Sequence, residues 1–190
     1  MAGRPRNIDR DVLLDAAEAL VLKSGAAALS FEAVAKAAGV TKGGVQYAFG
    51  TRDNLIRAMI TRWGEAFDAD VAERTGPDPS PRALIRGHLA ATRDADEADH
   101  SRSAVMMTML LQHPDQLSDT RDWYNSRLAG LDLAKPDDRQ VALAFLAGEG
   151  AFLLKAFGLM DLSDTQWKTL FEDMLSATTS TPPEAGFPEP

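Results

Sequence analysis

Ser30-Phe31-Glu32-Ala33-Val34-Ala35-Lys36-Ala37-Ala38-Gly39-Val40-Thr41-Lys42-Gly43-Gly44-Val45-Gln46-Tyr47-Ala48-Phe49-Gly50-Thr51-Arg52-Asp53-Asn54-Leu55 decides the fold. It contains two short helical patterns separated by a tight turn, followed by the capped start of a third helix. Ser30 can accept hydrogen bonds from the free N–H groups of a helix start, and Phe31, Val34, Ala35 and Ala38 recur on one face. Gly39 can adopt the positive φ that ends such a helix, Val40 can fill the angle between the two helices, and Thr41 can cap the next one. This is the writing of a helix-turn-helix whose second helix starts at Lys42.

In that second helix only Val45 and Phe49 are expected to look inward. Gly43 and Gly44 each cost about 1 kcal/mol against alanine in a helix interior, so a purely structural helix gains little from them. Their use would be close approach of the backbone to another surface. Thr41, Lys42, Gln46, Tyr47 and Arg52 supply donors suited to phosphates, and Gln46 can also pair with a base edge in the major groove. Ser30 and Gly43 complete the candidate nucleic-acid face. The opening Gly3-Arg4-Pro5-Arg6 is basic and extended, so Arg4 and Arg6 suit an arm in a minor groove, although a plain disordered terminus accounts for the same residues.

Residues 8 to 63 resemble the DNA-binding domain of the tetracycline-repressor (TetR) family of bacterial transcription regulators. The marks are a first helix from Asp9 to Ser24 closed by Gly25, then Leu29-Ser30-Phe31, Val34 to Gly43, Tyr47 and Phe49, and Arg52-Asp53-Asn54-Leu55. The resemblance implies that Thr41, Lys42, Gly44, Gln46, Tyr47 and Arg52 contact DNA, with Gln46 and Gly44 facing bases. It also implies an all-α chain of about nine helices: an N-terminal three-helix helix-turn-helix domain, and a helical C-terminal domain for ligand binding and dimerisation. The sequence departs from the family where Gln46 replaces a common aromatic, Ala48 a common histidine and Gly50 a common proline. The second departure removes one phosphate contact.

The chain has 190 residues, enough for a small head and a larger helical body. Residues 1–64 carry a net charge of +3 and residues 65–190 a net charge of −11. A basic head on an acidic body directs one end towards DNA, while acidic surfaces also simply aid solubility. There is no cysteine, which excludes disulfides, thiolate metal sites and cysteine nucleophiles. No apolar stretch has the length of a signal peptide or a membrane span, so a soluble, cytoplasmic protein with no membrane partner is expected.

Thr51 caps a helix running to about Arg74, and Gly76-Pro77-Asp78-Pro79-Ser80-Pro81 then breaks the pattern. The domain boundary is expected near Trp63, giving a head at 1–63, a body at 64–178 and a disordered tail at 179–190. The resemblance makes the Thr51 helix a lever between the domains; a connector without that duty is the alternative. Five further helices are expected at about 81–94, 101–113, 118–131, 136–157 and 163–177, with Arg93 to His100 as a charged loop.

The helix from Pro136 has almost no polar face, which implies burial on more than one side. Ala144 and Gly148 permit close helix approach, and Ser163 with Gln166 forms a capping box before Trp167, Leu170, Phe171 and Met174. The resemblance pairs these two helices with their copies in a homodimer across Ala144, Gly148, Phe152, Trp167, Leu170, Phe171 and Met174. Such a dimer would present two reading helices to a palindromic double-stranded DNA operator. A monomer with a thick core is the alternative.

A pocket for an unknown small apolar effector is expected from Trp63, Phe67, His88, Met106, Met109, Leu110, His113, Trp123 and Phe152, since methionine and aromatic side chains line adaptable cavities. Ordinary core packing explains the same residues. His88, His100 and His113 have no metal-ligand spacing, no cofactor is expected, and nothing reads as a nucleophile with a base and an orienting acid. The function expected is therefore a dimeric sequence-specific regulator, a repressor released by its effector. A body that answers to a protein partner, or to nothing, is the alternative.

Overall fold

The computed structural model describes residues 9–77, 79–113 and 117–179, with Gln112 described by its backbone alone. Arg4, Arg6 and the tail from 180 onward lie outside the described residues. Among the described residues there are nine α-helices and no strand: α1 (Arg10–Ser24), α2 (Phe31–Ala38), α3 (Lys42–Phe49), α4 (Arg52–Thr75), α5 (Pro81–Arg93), α6 (Glu97–Gln112), α7 (Leu117–Leu128), α8 (Pro136–Ala156) and α9 (Asp164–Ala177). None of the helices is long and apolar enough to cross a membrane.

The chain forms two compact units. The first is Met1–Ala66 with Ser101–Leu117, and the second is Phe67–His100 with Ser118–Pro190. The first unit is built as its capping residues dictate. Asp9 caps α1 by accepting from the Asp11 N–H, and Gly25 closes that helix at φ 78°. A short 3₁₀ turn, Ala26–Ala28, follows. Leu13, Ala17 and Val21 of α1 bury their side chains with Val34, Val45, Leu55, Ile56 and Met59. Removing that apolar surface from water is the main stabilising contribution, roughly 1.5–3 kcal/mol for each large side chain.

The segment from Ser101 belongs to this first unit, whereas the sequence reading placed all of 64–178 in the body. Met109 is buried in the first unit's core, and Val105 and Met106 pack against it. A cluster of charges joins α1, α4 and α6. The Glu18 carboxylate of α1 accepts from Arg62 Nη2 of α4 at 2.7 Å and from Arg102 Nε of α6 at 2.7 Å. Near the other end of α6, His113 Nδ1 lies 3.3 Å from Asp53 Oδ1.

The start of α6 is a second correction, since Glu97 to His100 are helical rather than part of a charged loop. The Asp99 N–H donates to Asp96 Oδ1 at 2.9 Å and the Asp96 N–H to Asp99 Oδ2 at 3.1 Å. This reciprocal pair satisfies N–H groups that a helix start leaves open. The acidic residues that suggested a solvated loop are the helix cap.

In the second unit α5 packs against α8 and α9, which also pack on each other. Ser80 caps α5 with Pro81 in its first turn, and Ser163 with Gln166 forms the expected capping box on α9. Ile85, Leu89, Val141, Phe145, Trp167 and Phe171 form the buried core. The Trp167 indole N–H donates to the Arg93 carbonyl at 2.8 Å, which fixes the end of α5 to α9. A Cβ added at Gly148 would collide with Leu89 Cδ2 and come within 3.5 Å of Phe171, so any side chain there would have to displace Leu89 at the contact of α8 with α5.

This placement corrects the expected dimer set. Ala144, Gly148, Trp167 and Phe171 are buried in the unit's own core. Phe152 and Met174 are partly buried against it, and Leu170 is exposed. Because α8 is apolar nearly all round, the sequence could not say which stripe faces inward.

Candidate nucleic-acid interface

The two helices of the motif are set by three local devices. Ser30 Oγ accepts from the Ala33 N–H at 3.2 Å and starts α2. Gly39 adopts the left-handed conformation at φ 68° and ends it. Thr41 Oγ1 then accepts from the Gly44 N–H at 3.2 Å, starting α3 at Lys42. Val45 and Phe49 anchor α3 in the core, with Ala48 packed partly against it.

The exposed side of α3 is thereby fixed. Thr41, Lys42, Gly43, Gln46 and Tyr47 are exposed, and Tyr47 stands 90% in solvent. An aromatic so exposed contributes nothing to the core, and its hydroxyl is free to reach a partner. A Cβ at Gly43 would meet nothing within 4 Å, so that position leaves open space on the surface. Gly44, expected to face bases, is instead buried beside Val45. Lys42, Gln46 and Tyr47 therefore present this face's polar groups to solvent: an ammonium, an amide and a phenol.

Two other expected contacts have work inside the fold. Ser30 is exposed, but its hydroxyl oxygen caps α2. Arg52 turns its guanidinium onto backbone carbonyls, with Nε donating to Leu29 O at 2.8 Å and Nη2 to Ala26 O at 3.1 Å. Beside it, Asn54 Nδ2 donates to the Phe49 carbonyl at 3.0 Å. Together Arg52 and Asn54 tie the start of α4 to the 3₁₀ turn and to the end of α3.

The expected ligand residues divide between the units. Trp63, Met106, Met109, Leu110 and His113 belong to the first, where Trp63 and Met109 are core residues. Phe67, His88, Trp123 and Phe152 belong to the second. There Phe67, His88 and Trp123 do come together, with ring centroids 4.8 Å apart for Phe67 and His88 and 5.8 Å for His88 and Trp123. Phe152 stands apart beside His100, at 5.0 Å.

The sequence reading missed the acid at the middle of this cluster. Glu149 Oε1 lies 2.7 Å from His88 Nε2, and Glu149 Oε2 accepts from the Tyr124 hydroxyl at 2.7 Å. Burial, reinforced by the Glu149 carboxylate, pushes the Tyr124 phenol well above its ordinary range and keeps it a donor. A second polar group lies alongside, in which Asp68 accepts from Trp123 Nε1 and Arg127, whose guanidinium also stacks over the Trp123 ring at 4.2 Å. His88 Nδ1 and Arg127 Nε are buried without a hydrogen-bond partner. Helical spacing on α8 puts Glu149 four residues after the buried Phe145 and eight after Val141, on their inward face, a signal hidden by the surrounding apolar run.

Comparison with known proteins agrees with this architecture. Residues 13–59 match the family described as bacterial regulatory proteins, tetR family, and residues 82–179 match the tetracyclin repressor-like C-terminal domain. The HTH-type transcriptional regulator BetI of Paraburkholderia xenovorans (strain LB400) is 28% identical over 142 residues, covering 69% of this chain and 71% of that protein. A transcriptional regulator from Streptomyces coelicolor A3(2) has the same fold with a TM-score of 0.67 at 20% identity, over 90% of this chain and 98% of that one. The multidrug binding protein EbrR, complexed with imidazole, matches with a TM-score of 0.62 at 20% identity, over 92% of this chain and 97% of its own. With both of its domains matched, the chain belongs to the TetR family of bacterial transcriptional regulators, DNA-binding proteins rather than enzymes.

Proposed function

We propose that this chain acts as a homodimer that sets two copies of α3 on a palindromic operator and represses transcription until a small, largely apolar effector enters the second unit. In this reading Lys42 and Tyr47 hold phosphates, Gln46 reads a base, and Thr41 and Gly43 allow close approach of the backbone.

The observation that carries the dimer is the exposed apolar stripe of α8. Leu143 is 65% exposed and Leu146 56%, with Leu154 also exposed further along. Positions 143, 146, 150 and 154 recur at helical spacing, and a Cβ at Gly150 would meet nothing within 4 Å. Leu170 is exposed on α9, in an open groove with Leu162, Thr165, Gln166 and Thr169. Apolar surface of this kind marks an interaction site, and a two-fold axis through it would pair the reading heads.

The effector reading rests on Phe67, His88, Trp123, Tyr124 and Phe145 around the unpartnered His88 and Arg127 nitrogens. Each orphaned buried polar atom costs on the order of 1–3 kcal/mol, and a ligand that met either one would recover part of that. Differential binding to two dimer conformations would then shift the heads away from the operator spacing.

The test is selection of sites from random duplex DNA, followed by sedimentation and a panel of apolar compounds. An enriched palindrome, a dimer that Leu146→Glu dissociates, and release of DNA by one compound class are expected. A single unpaired half-site would remove the dimer. Release by no compound, together with release by a protein partner, would assign the body to that partner instead.

A further inference from the structure

We propose that Arg10 is a DNA-backbone contact, presented at the C-terminal end of the recognition helix by the ring of Phe49 and working opposite Lys42. The inference rests on DNA binding through α3. Arg10 is the first residue of α1, and its guanidinium carbon sits 4.8 Å over the centroid of Phe49, the last residue of α3. A cation over an aromatic face is attracted by the ring quadrupole, which limits its wandering without consuming its charge.

The ring is buried at 4% exposure, whereas Arg10 itself is exposed. The guanidinium thus has one side against Phe49 and its N–H donors available to solvent. Its surroundings differ from those of the other arginines at the first unit's helix contacts. Arg62 and Arg102 are held by carboxylates and Arg52 by two carbonyls. Arg10 has no carboxylate partner among the described residues. The neighbouring Asp9 carboxylate is engaged by the Asp11 N–H.

Geometry gives this exposed cation a use. From Lys42 to Phe49, α3 rises about 10 Å at 1.5 Å per residue. Lys42 is the first residue of that span, and the Arg10 guanidinium sits over Phe49, the last. A helix lying in the groove would therefore carry a cation towards each flanking backbone. The guanidinium fork also matches a phosphate with two parallel hydrogen bonds. Contacts of this kind set affinity and register while carrying no sequence information.

The test measures binding of the full-length wild type, Arg10→Met and Arg10→Lys to a selected duplex and a scrambled one, over a series of salt concentrations. Arg10→Met keeps an apolar cover on Phe49 and removes the charge. The plot of log K against log salt should become shallower by about 0.9 for each head, with equal loss of affinity for both duplexes. Arg10→Lys should retain the wild-type slope. An unchanged slope in Arg10→Met overturns the proposal. So does a loss confined to the selected duplex, which would make Arg10 a positioning residue for α3. Arg10→Gln, with circular dichroism on every variant, provides a second charge-free form should Arg10→Met fail to fold. Failure of the wild type to bind either duplex would instead overturn DNA binding itself.

Discussion

Replacing Glu18 with glutamine removes one charge from the only carboxylate seen to join α1, α4 and α6 among the described residues. The side chain is 16% exposed, and its partners Arg62 and Arg102 are 25% and 33% exposed. Fully exposed pairs contribute about 0.2–1 kcal/mol each, whereas hydrogen bonds to buried charges contribute about 1.5–3 kcal/mol. Two contacts of intermediate exposure place the cost of Glu18→Gln at about 2 kcal/mol. With a urea dependence near 2 kcal/mol per M, the unfolding midpoint of the first unit should fall by roughly 1 M. Hydrogen exchange should also rise in α1 and in the part of α6 that packs on it, because the lost contact is local.

The pH dependence tests the same reasoning independently. Burial alone raises the Glu18 pKa, but Trp63, Arg102 and Arg62 outweigh it and hold the carboxyl below its ordinary 4.5. The Trp63 indole N–H contributes by proximity, without meeting the carboxylate in hydrogen-bond geometry. A depressed folded pKa lends stability that is present above the unfolded value and is lost as pH falls through the folded one. The gap between wild type and Glu18→Gln should therefore be full at pH 7 and close in the acid range below 4.5. A midpoint at pH 7 equal to the wild type's, or a gap that persists unchanged at pH 2, would refute the assignment.

Gly148→Leu should overfill the contact between α8 and α5 and destabilise the second unit by about 1–3 kcal/mol. Because the collision is with Leu89 of the same chain, the loss should be the same at low and high protein concentration; a loss that concentration abolishes would return Gly148 to the interface between copies. Ser163→Ala removes the capping hydroxyl of α9 and should cost about 1 kcal/mol in urea unfolding, with no change in DNA affinity measured on the folded protein. In a Tyr47→Phe background, spectrophotometric titration should show no Tyr124 phenolate until the fold is lost in alkali. The phenol's raised folded pKa makes its contribution full below its ordinary 10.0 and declining as pH rises beyond that.

The legible parts of this chain are those whose causes lie within a few residues of each other. Ser30, Gly39, Thr41 and the Ser163–Gln166 pair each do in the structure what their types and spacing require, because a cap is a contact between neighbours in sequence. The same locality made Gly44 misleading: two adjacent glycines look alike in sequence, but a 100° rotation per residue puts Gly43 outward and Gly44 inward beside Val45. On α8 the failure is of another kind. A helix apolar on nearly every side carries no phase, so Gly148 and Leu146 were equally eligible for the interface until Leu89 and Phe171 were found against one of them. The charged groups were least legible. Arg102 meets Glu18 across 84 positions of chain, Arg52 turns back to carbonyls more than 20 positions away, and Glu149 gathers His88 and Tyr124 from two other helices. Arg52 and Arg10 show why this matters for function. The sequence offers Arg52 as a contact and passes over Arg10, which lies far from the reading helix along the chain; only the fold shows the first guanidinium filled by backbone carbonyls and the second resting on the ring at the end of α3.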